Sequence, residues 1–389
     1  MTIATYSSSH AIPVLYMRGG TSKGAFFLAN DLPVDPFERD ALLLRIMGSP
    51  DPYGKQMDGL GGASSSTSKV VILSPSSRPG YAVDYLFGAV AIDAPLIDWS
   101  GNCGNLSAAV GPAALMLGLV PAIEGHTEVV IWQVNIGQRI VARVPVQNGL
   151  VVEQGSFQED GVAFSAAEIE LAFYEPPLQA DALPLLPTGN VVDELMIPNL
   201  GSVAMTLITA GNPTVFVKAQ DLGLTGRETQ AEILAQPELM QTLETIRAHG
   251  ALAMGLGTSV EQISRERPGT PKIAWLGAPQ DYVDAAGKTV KVDSIDLVAR
   301  IMSMGKPHHA FTGTGSIALA VAAAIPGTLV EQIRGAHYPT NAPVRFGHAS
   351  GVLRIGATAR YEDDHWRMEK ALLSRSARRL MQGLAFVPQ

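Results

Sequence analysis

One motif occurs twice in the chain, and that repetition constrains the fold more than any other feature. Gly101-Asn102-Cys103-Gly104-Asn105-Leu106-Ser107 opens an Ala-, Leu- and Gly-rich segment that runs to Val120. In the second half, Phe311-Thr312-Gly313-Thr314-Gly315-Ser316 opens the apolar segment 317–325. Superposing Cys103 on Thr312 also superposes Gly104 on Gly313 and Ser107 on Ser316. Two upstream matches fall in the same order. Thr67-Ser68-Lys69-Val70-Val71-Ile72-Leu73 resembles Thr270-Pro271-Lys272-Ile273-Ala274-Trp275-Leu276. Arg18-Gly19-Gly20-Thr21 and Ala210-Gly211-Asn212-Pro213 each precede a strand-like run containing phenylalanine, Phe26 and Phe27 in one case and Phe216 in the other. Three matches in one order predict two copies of a single unit with a site between them.

The local signals agree with a mixed architecture. Residues 69–73, 128–134, 139–146, 203–209, 214–217 and 352–357 are β-branched runs bounded by Gly, Pro, Asn or Ser, and read as strands. Residues 36–47 read as a helix, with Pro36 at its start and Gly48 after its end. Residues 229–253 contain at least one more. Strands and helices do not alternate regularly, which predicts an α+β fold rather than a doubly wound sheet. The segment 174–190 holds four prolines and is the candidate linker.

Composition removes several function classes. The net charge is −8 and aromatics make up 6% of the chain, which argues against nucleic-acid binding by charge or base stacking. A single cysteine, Cys103, excludes an internal disulfide and a multi-thiolate zinc site, and cannot alone ligate an iron–sulfur cluster. The start, Met1-Thr2-Ile3-Ala4-Thr5-Tyr6, lacks the basic and apolar regions of a signal peptide. Residues 108–123 are uncharged but too short and too interrupted by Gly and Pro to span a bilayer. A cytoplasmic protein without membrane contact is expected.

The paired motifs point to an anion. A glycine turn opening a buried helix presents unpaired amides and the positive end of the helix dipole. Two such starts at one cleft can hold carboxylates or phosphates, and Asn102, Asn105, Thr312, Thr314 and Ser316 add polar groups. Arg18, Lys23, Lys272 and Lys306 bring positive charge near the same motifs. Cys103 lies where a helix start lowers a thiol pKa. Lys69 enters the apolar run Val70-Val71-Ile72-Leu73 and is expected to be partly desolvated, the setting in which a lysine serves as a base. Adjacent His308 and His309 are expected to face opposite ways, so that only one reaches the cleft. His10, His126, His249, His337, His348 and His365 are scattered, no His-Glu-x-x-His or dinucleotide fingerprint occurs, and neither metal nor cofactor is expected.

The chain resembles the PrpF family over nearly its whole length. The resemblance is carried by Arg18-Gly19-Gly20-Thr21-Ser22-Lys23-Gly24, the Ser/Thr loop ending at Lys69, and Trp99-Ser100 leading into the Cys103 motif. Ser303-Met304-Gly305-Lys306 with His308-His309, Val344-Arg345-Phe346-Gly347-His348 and Ser374-Arg375-Ser376-Ala377-Arg378 extend it. It implies a diaminopimelate epimerase-like fold: two pseudo-symmetric domains, each a sheet wrapped around a central helix. Residues 1–185 would carry the Cys103 motif and 186–389 the Thr312 motif, with the strand near 376–387 returning to the first domain.

Epimerases of that superfamily use two cysteines, one per domain. Cys103 matches the first, but the second position is Thr312, whose hydroxyl exchanges protons poorly at neutral pH. A two-thiol epimerase is therefore disfavoured. The resemblance implies instead a cofactor-independent isomerase that interconverts trans- and cis-2-methylaconitate in propionate breakdown by the methylcitrate route. Lys69 matches the lysine regarded as the base, with Cys103 beside it. Arg18, Thr21, Ser22, Ser68, Gly104, Asn105, Lys272, Ser303, His308, Gly313, Thr314 and Gly315 would bind a small tricarboxylate. A homodimer and a functional link to an aconitase-like dehydratase are compatible with the family. The rival readings are a 4-oxalomesaconate tautomerase and a non-catalytic accessory protein of such a dehydratase.

Overall fold

The structure, a computed structural model, describes residues 9–175, 183–335, 337–339 and 341–388. The first half begins with β1 (Ser9–Gly19), β2 (Ser22–Leu28) and α1 (Pro36–Met47). It continues with β3 (Lys69–Pro75), β4 (Val83–Val90), β5 (Ile97–Asp98) and α2 (Gly104–Met116). Next come β6 (Gly125–Gln133), β7 (Gln138–Gln147), β8 (Leu150–Val151) and β9 (Glu168–Tyr174).

The second half opens with β10 (Asp193–Ile197), β11 (Gly201–Ile208), β12 (Thr214–Lys218), α3 (Gln230–Leu234), α4 (Pro237–Ala253) and α5 (Val260–Glu266). β13 (Lys272–Gly277), β14 (Tyr282–Val283), β15 (Thr289–Val290), β16 (Leu297–Ser303) and β17 (Lys306–Pro307) follow. α6 (Gly313–Ala323), α7 (Leu329–Arg334), β18 (Val344–His348), β19 (Gly351–Glu362) and β20 (His365–Pro388) complete the chain.

Local chemistry accounts for the helix limits. Asp35 caps α1 by accepting from the Phe37 and Glu38 amides, Pro36 occupies the first turn, and Gly48 ends the helix at φ 75°. Helices α2 and α6 are apolar all round, so they are stable only when enclosed. Sheet supplies the enclosure. β1, β2, β3, β4, β6, β7, β9 and β20 each pair with the next, and β20 pairs back to β1, which closes a ring. Helix α2 packs inside it against β1, β2, β6, β7, β9 and β20. From β1 to β7 the pairings run antiparallel, parallel, antiparallel, parallel, antiparallel. The chain of pairs β11, β12, β13, β16, β18, β19 runs in the same alternation, and α6 packs against β11, β19 and β20.

Strand β20 serves both halves. Its first part pairs with β19, its middle with β9 and its end with β1. One apolar cluster accordingly includes Leu106 and Ala109 of α2 together with Ile317 and Ala320 of α6. Of the Pro-rich segment 174–190, residues 176–182 lie outside the described part. The rest is not a loose spacer: Leu185 and Leu186 are buried, and the Thr209 amide donates to the Leu185 carbonyl. Among the described residues no helix is long and apolar enough to cross a membrane.

Candidate active site

The two glycine motifs meet end to end. A Cβ placed on Gly104 would lie 2.7 Å from Gly313 C and Thr314 N, and one placed on Gly313 would lie 2.6 Å from Asn105 N and Gly104 C. Only glycine permits that approach. Each helix is capped by the residue before it. Cys103 Sγ accepts from the Leu106 amide at 3.4 Å, and Thr312 Oγ1 accepts from the Gly315 amide at 3.1 Å. The Gly104, Asn105, Gly313 and Thr314 amides take no protein acceptor among the described residues. Two positive helix ends facing each other repel, and an anion between them relieves that repulsion.

Lys69, the first residue of β3, reaches this point. Its Nζ donates to Ser22 Oγ at 2.9 Å and lies 3.1 Å from Cys103 Sγ. Lys69 and Cys103 are 5% and 7% exposed. Burial pushes the Cys103 thiol up, but the Lys69 ammonium, the Leu106 amide and Ser22 together bring it below the usual thiol value. Lysine and cysteine are thus in hydrogen-bond contact at a helix start.

The second half contributes Lys272, Ser303 and His308. Lys272, the first residue of β13, is 8% exposed and donates to Ser303 Oγ at 3.4 Å. Burial, and next the Lys69 charge, lower its pKa to about 8. His308 Nδ1 accepts from the Ala310 amide, which leaves the ring proton on Nε2, where it is buried and has no partner among the described residues. Burial first, and then the neighbouring basic groups His309, Lys69 and Lys272, hold His308 well below its ordinary pKa. It is a neutral donor ready for a carboxylate oxygen.

The expectation that His308 and His309 face opposite ways is overturned. Their rings stack at 4.8 Å with 21° between planes. The segment after β17 bends instead of staying extended, because the His308 ring accepts from the amide two residues on. Both rings therefore border the site, and His309 Nδ1 lies 3.1 Å from Ser66 Oγ.

A cleft of about 720 Å³ leads inward, lined by Arg18, Thr21, Ser22, Ser66 and His309 among others. Lys69, Cys103 and Lys272 are not among its lining residues; Ser22, which lines it and accepts from Lys69, is the link between the cleft and the lysine. Arg18 lines the cleft, but one of its terminal nitrogens is committed to the Gly20 and Ser376 carbonyls and Ser376 Oγ. Ser68 is buried with its hydroxyl accepting from Gln56 Nε2. The Gly315 amide is taken by Thr312, which leaves Gly313 and Thr314 as the available donors of that turn.

Three participants escaped sequence reasoning. Arg375 Nε lies 3.1 Å from Asn105 Oδ1 and 3.2 Å from Glu159 Oε1, in a fully buried ion pair. Asn105 Nδ2 in turn donates to Thr21 Oγ1 at 2.9 Å. Glu159, on the loop before β9, also accepts from the Ser376 amide and hydroxyl. Arg375 did carry a signal: it shares a strand face with Leu373 and Ala377, an arginine on the inward side of an alternating run. Glu159 carried none, and His309 was visible beside His308 but was expected to face away from the cleft. Among the described residues no group of three or more His, Cys, Asp or Glu could hold a metal ion.

The family model described as PrpF protein matches residues 9–388. The chain belongs to the PrpF family. It is 51% identical over 388 residues to a 2-methyl-aconitate isomerase of Shewanella oneidensis and 52% identical over 387 residues to one of Cupriavidus necator, with 97% of each chain covered in both cases. The crystal structure of a methylitaconate-delta-isomerase matches this PrpF chain with a TM-score of 0.76 at 39% identity, over 98% of this chain and 97% of that one. A probable proline racemase from Agrobacterium radiobacter matches with a TM-score of 0.55 at 14% identity, over 97% and 92%, which marks a racemase-like mixed α/β fold.

Proposed function

We propose that this PrpF chain is a 2-methylaconitate cis–trans isomerase working by allylic proton transfer. The observation that carries the reading is the 3.1 Å contact between Lys69 Nζ and Cys103 Sγ at the meeting point of two helix starts. The substrate is a tricarboxylate whose CH2 is conjugated to its double bond. Removing that proton gives a dienolate in which the former double bond rotates, and reprotonation sets the new geometry. The Lys69–Cys103 unit takes the proton. The Gly104, Asn105, Gly313 and Thr314 amides, with Lys272, Ser303 and His308 Nε2, receive carboxylate charge as it builds. Thr21 and Ser22 border the entry, with Arg18 at its wall. The identity to two 2-methyl-aconitate isomerases supports this substrate over 4-oxalomesaconate.

The proposal includes the architecture. The matching order of strand pairs in the two halves, and two enclosed helices meeting at glycine, support a duplicated unit with a boundary near residue 185. A homodimer and a link to an aconitase-like dehydratase belong to the same reading and rest on the family resemblance; cytoplasmic location is proposed from the sequence signals. Purified protein should interconvert the isomers of 2-methylaconitate and exchange the allylic proton in heavy water, followed by proton NMR. Lys69→Ala should abolish both while its circular dichroism stays native. Faster turnover of 4-oxalomesaconate would overturn the substrate, and no exchange on any tricarboxylate would favour an accessory protein.

A further inference from the structure

We infer that Lys272 is the second proton-transfer group of this site, returning a proton to the dienolate from the half opposite Lys69 and Cys103. The inference rests on the isomerase reading. Lys272 begins β13 as Lys69 begins β3, and each of these strands runs parallel to the strand that precedes it in the sheet. The second half offers few other candidates. Thr312 holds the Gly315 amide with its hydroxyl. His308 has its lone pair engaged by Ala310 and stays neutral, which makes it a hydrogen-bond donor but not an acid. Ser303 is a hydroxyl with an ordinarily high pKa.

Lys272 is free to act. Among the described residues its ammonium has one protein partner, Ser303 Oγ, and no carboxylate. The facing charged or titratable groups are Lys69, Asp98, Cys103, Arg247 and His308. Asp98, the acid among them, spends its oxygens on the Ser100 and Gly269 amides. Arg247 stands behind Lys272 and donates to the Thr270 and Pro271 carbonyls. Burial among cations lowers the pKa to about 8, so the group is protonated at neutral pH and yields its proton readily.

The step balances as follows. The C–H bond of the CH2 breaks and its proton goes to the Lys69–Cys103 unit, while the electron pair enters the dienolate. After rotation, an N–H bond of Lys272 breaks and a C–H bond forms. Lys272 then takes a proton from water and the Lys69–Cys103 unit releases one, which restores the resting state.

The test compares Lys272→Arg and Lys272→Met with the wild type on 2-methylaconitate in heavy water, scoring deuterium wash-in and isomer formation separately. Lys272→Arg keeps the charge but cannot give up a proton. We expect isomer formation to fall about 100-fold in both variants, with wash-in falling far less, so that the ratio of exchange to isomerisation rises. The wild-type rate should fall above about pH 8 and lose that limb in both variants. Melting temperatures at or above that of the wild type establish that both variants fold. Near-normal isomerisation by Lys272→Arg, with loss only in Lys272→Met, would mean that charge alone suffices and would overturn the inference. An equal fall of exchange and isomerisation in both variants would also overturn it. A wild type that exchanges no proton refutes the isomerase reading instead.

Discussion

Gly313→Ala is the sharpest probe of the helix-to-helix approach. The added Cβ would sit 2.6 Å from Asn105 N and Gly104 C, where ordinary contact begins at 3.4 Å. Both atoms are backbone, so no side chain can swing aside, and the helix starts must separate by about 1 Å, a displacement that costs on the order of 100-fold in rate. Overpacking costs about 1–3 kcal/mol, and the better helix propensity of alanine returns at most about 1 kcal/mol. The net loss of roughly 1–2 kcal/mol lowers Tm by only about 1–2 °C in a chain this long, because its unfolding entropy is large. Activity should therefore fall much further than stability. Steady-state turnover of 2-methylaconitate and calorimetry on the same preparation separate the two effects. Gly383→Ala, with nothing within 4 Å of the new Cβ, is the control. Wild-type turnover with a wild-type Tm in Gly313→Ala would refute the direct meeting of the helices.

Three further outcomes are expected. Cys103→Ser keeps a side-chain cap for the Leu106 amide, so Tm should hold while the isomerisation rate drops about 100-fold; unchanged turnover would reduce Cys103 to a pocket wall. Lys272 binds fewer protons folded than unfolded between pH 8 and 10.5, so stability rises with pH across that window. Lys272→Met should flatten that rise and gain up to about 3 kcal/mol at pH 7, read from urea midpoints at several pH values. Glu159→Gln leaves Arg375 buried without its counter-charge and should cost about 3 kcal/mol, with a raised KM because Arg375 also touches Asn105; a urea midpoint equal to that of the wild type would show that the pair is not structural.

Much of this was legible from residue order. The strands at 69–73 and 139–146 and the helix at 36–47 follow from β-branched runs with turn-residue boundaries and from a Pro start with a Gly stop, all of which are local signals. Ser68 and Arg18 came from the family resemblance; their contacts with Gln56 and with Ser376 are encoded by no local pattern. The bend that stacks His308 on His309 depends on one ring-to-amide bond and was equally hidden.

By itself the sequence determined two apolar helices, each opened by a glycine turn, a thiol at one start and a hydroxyl at the other. Those properties depend on neighbours within a few residues, so they survive without knowledge of the fold. Only the tertiary structure decided that the two starts touch, that Lys69 lies against Cys103, and that Arg375 reaches Asn105 across 270 residues of chain. The reason is closure: the first-half strands form a ring completed by the last strand of the chain, and until that ring forms these residues have no fixed relation to one another.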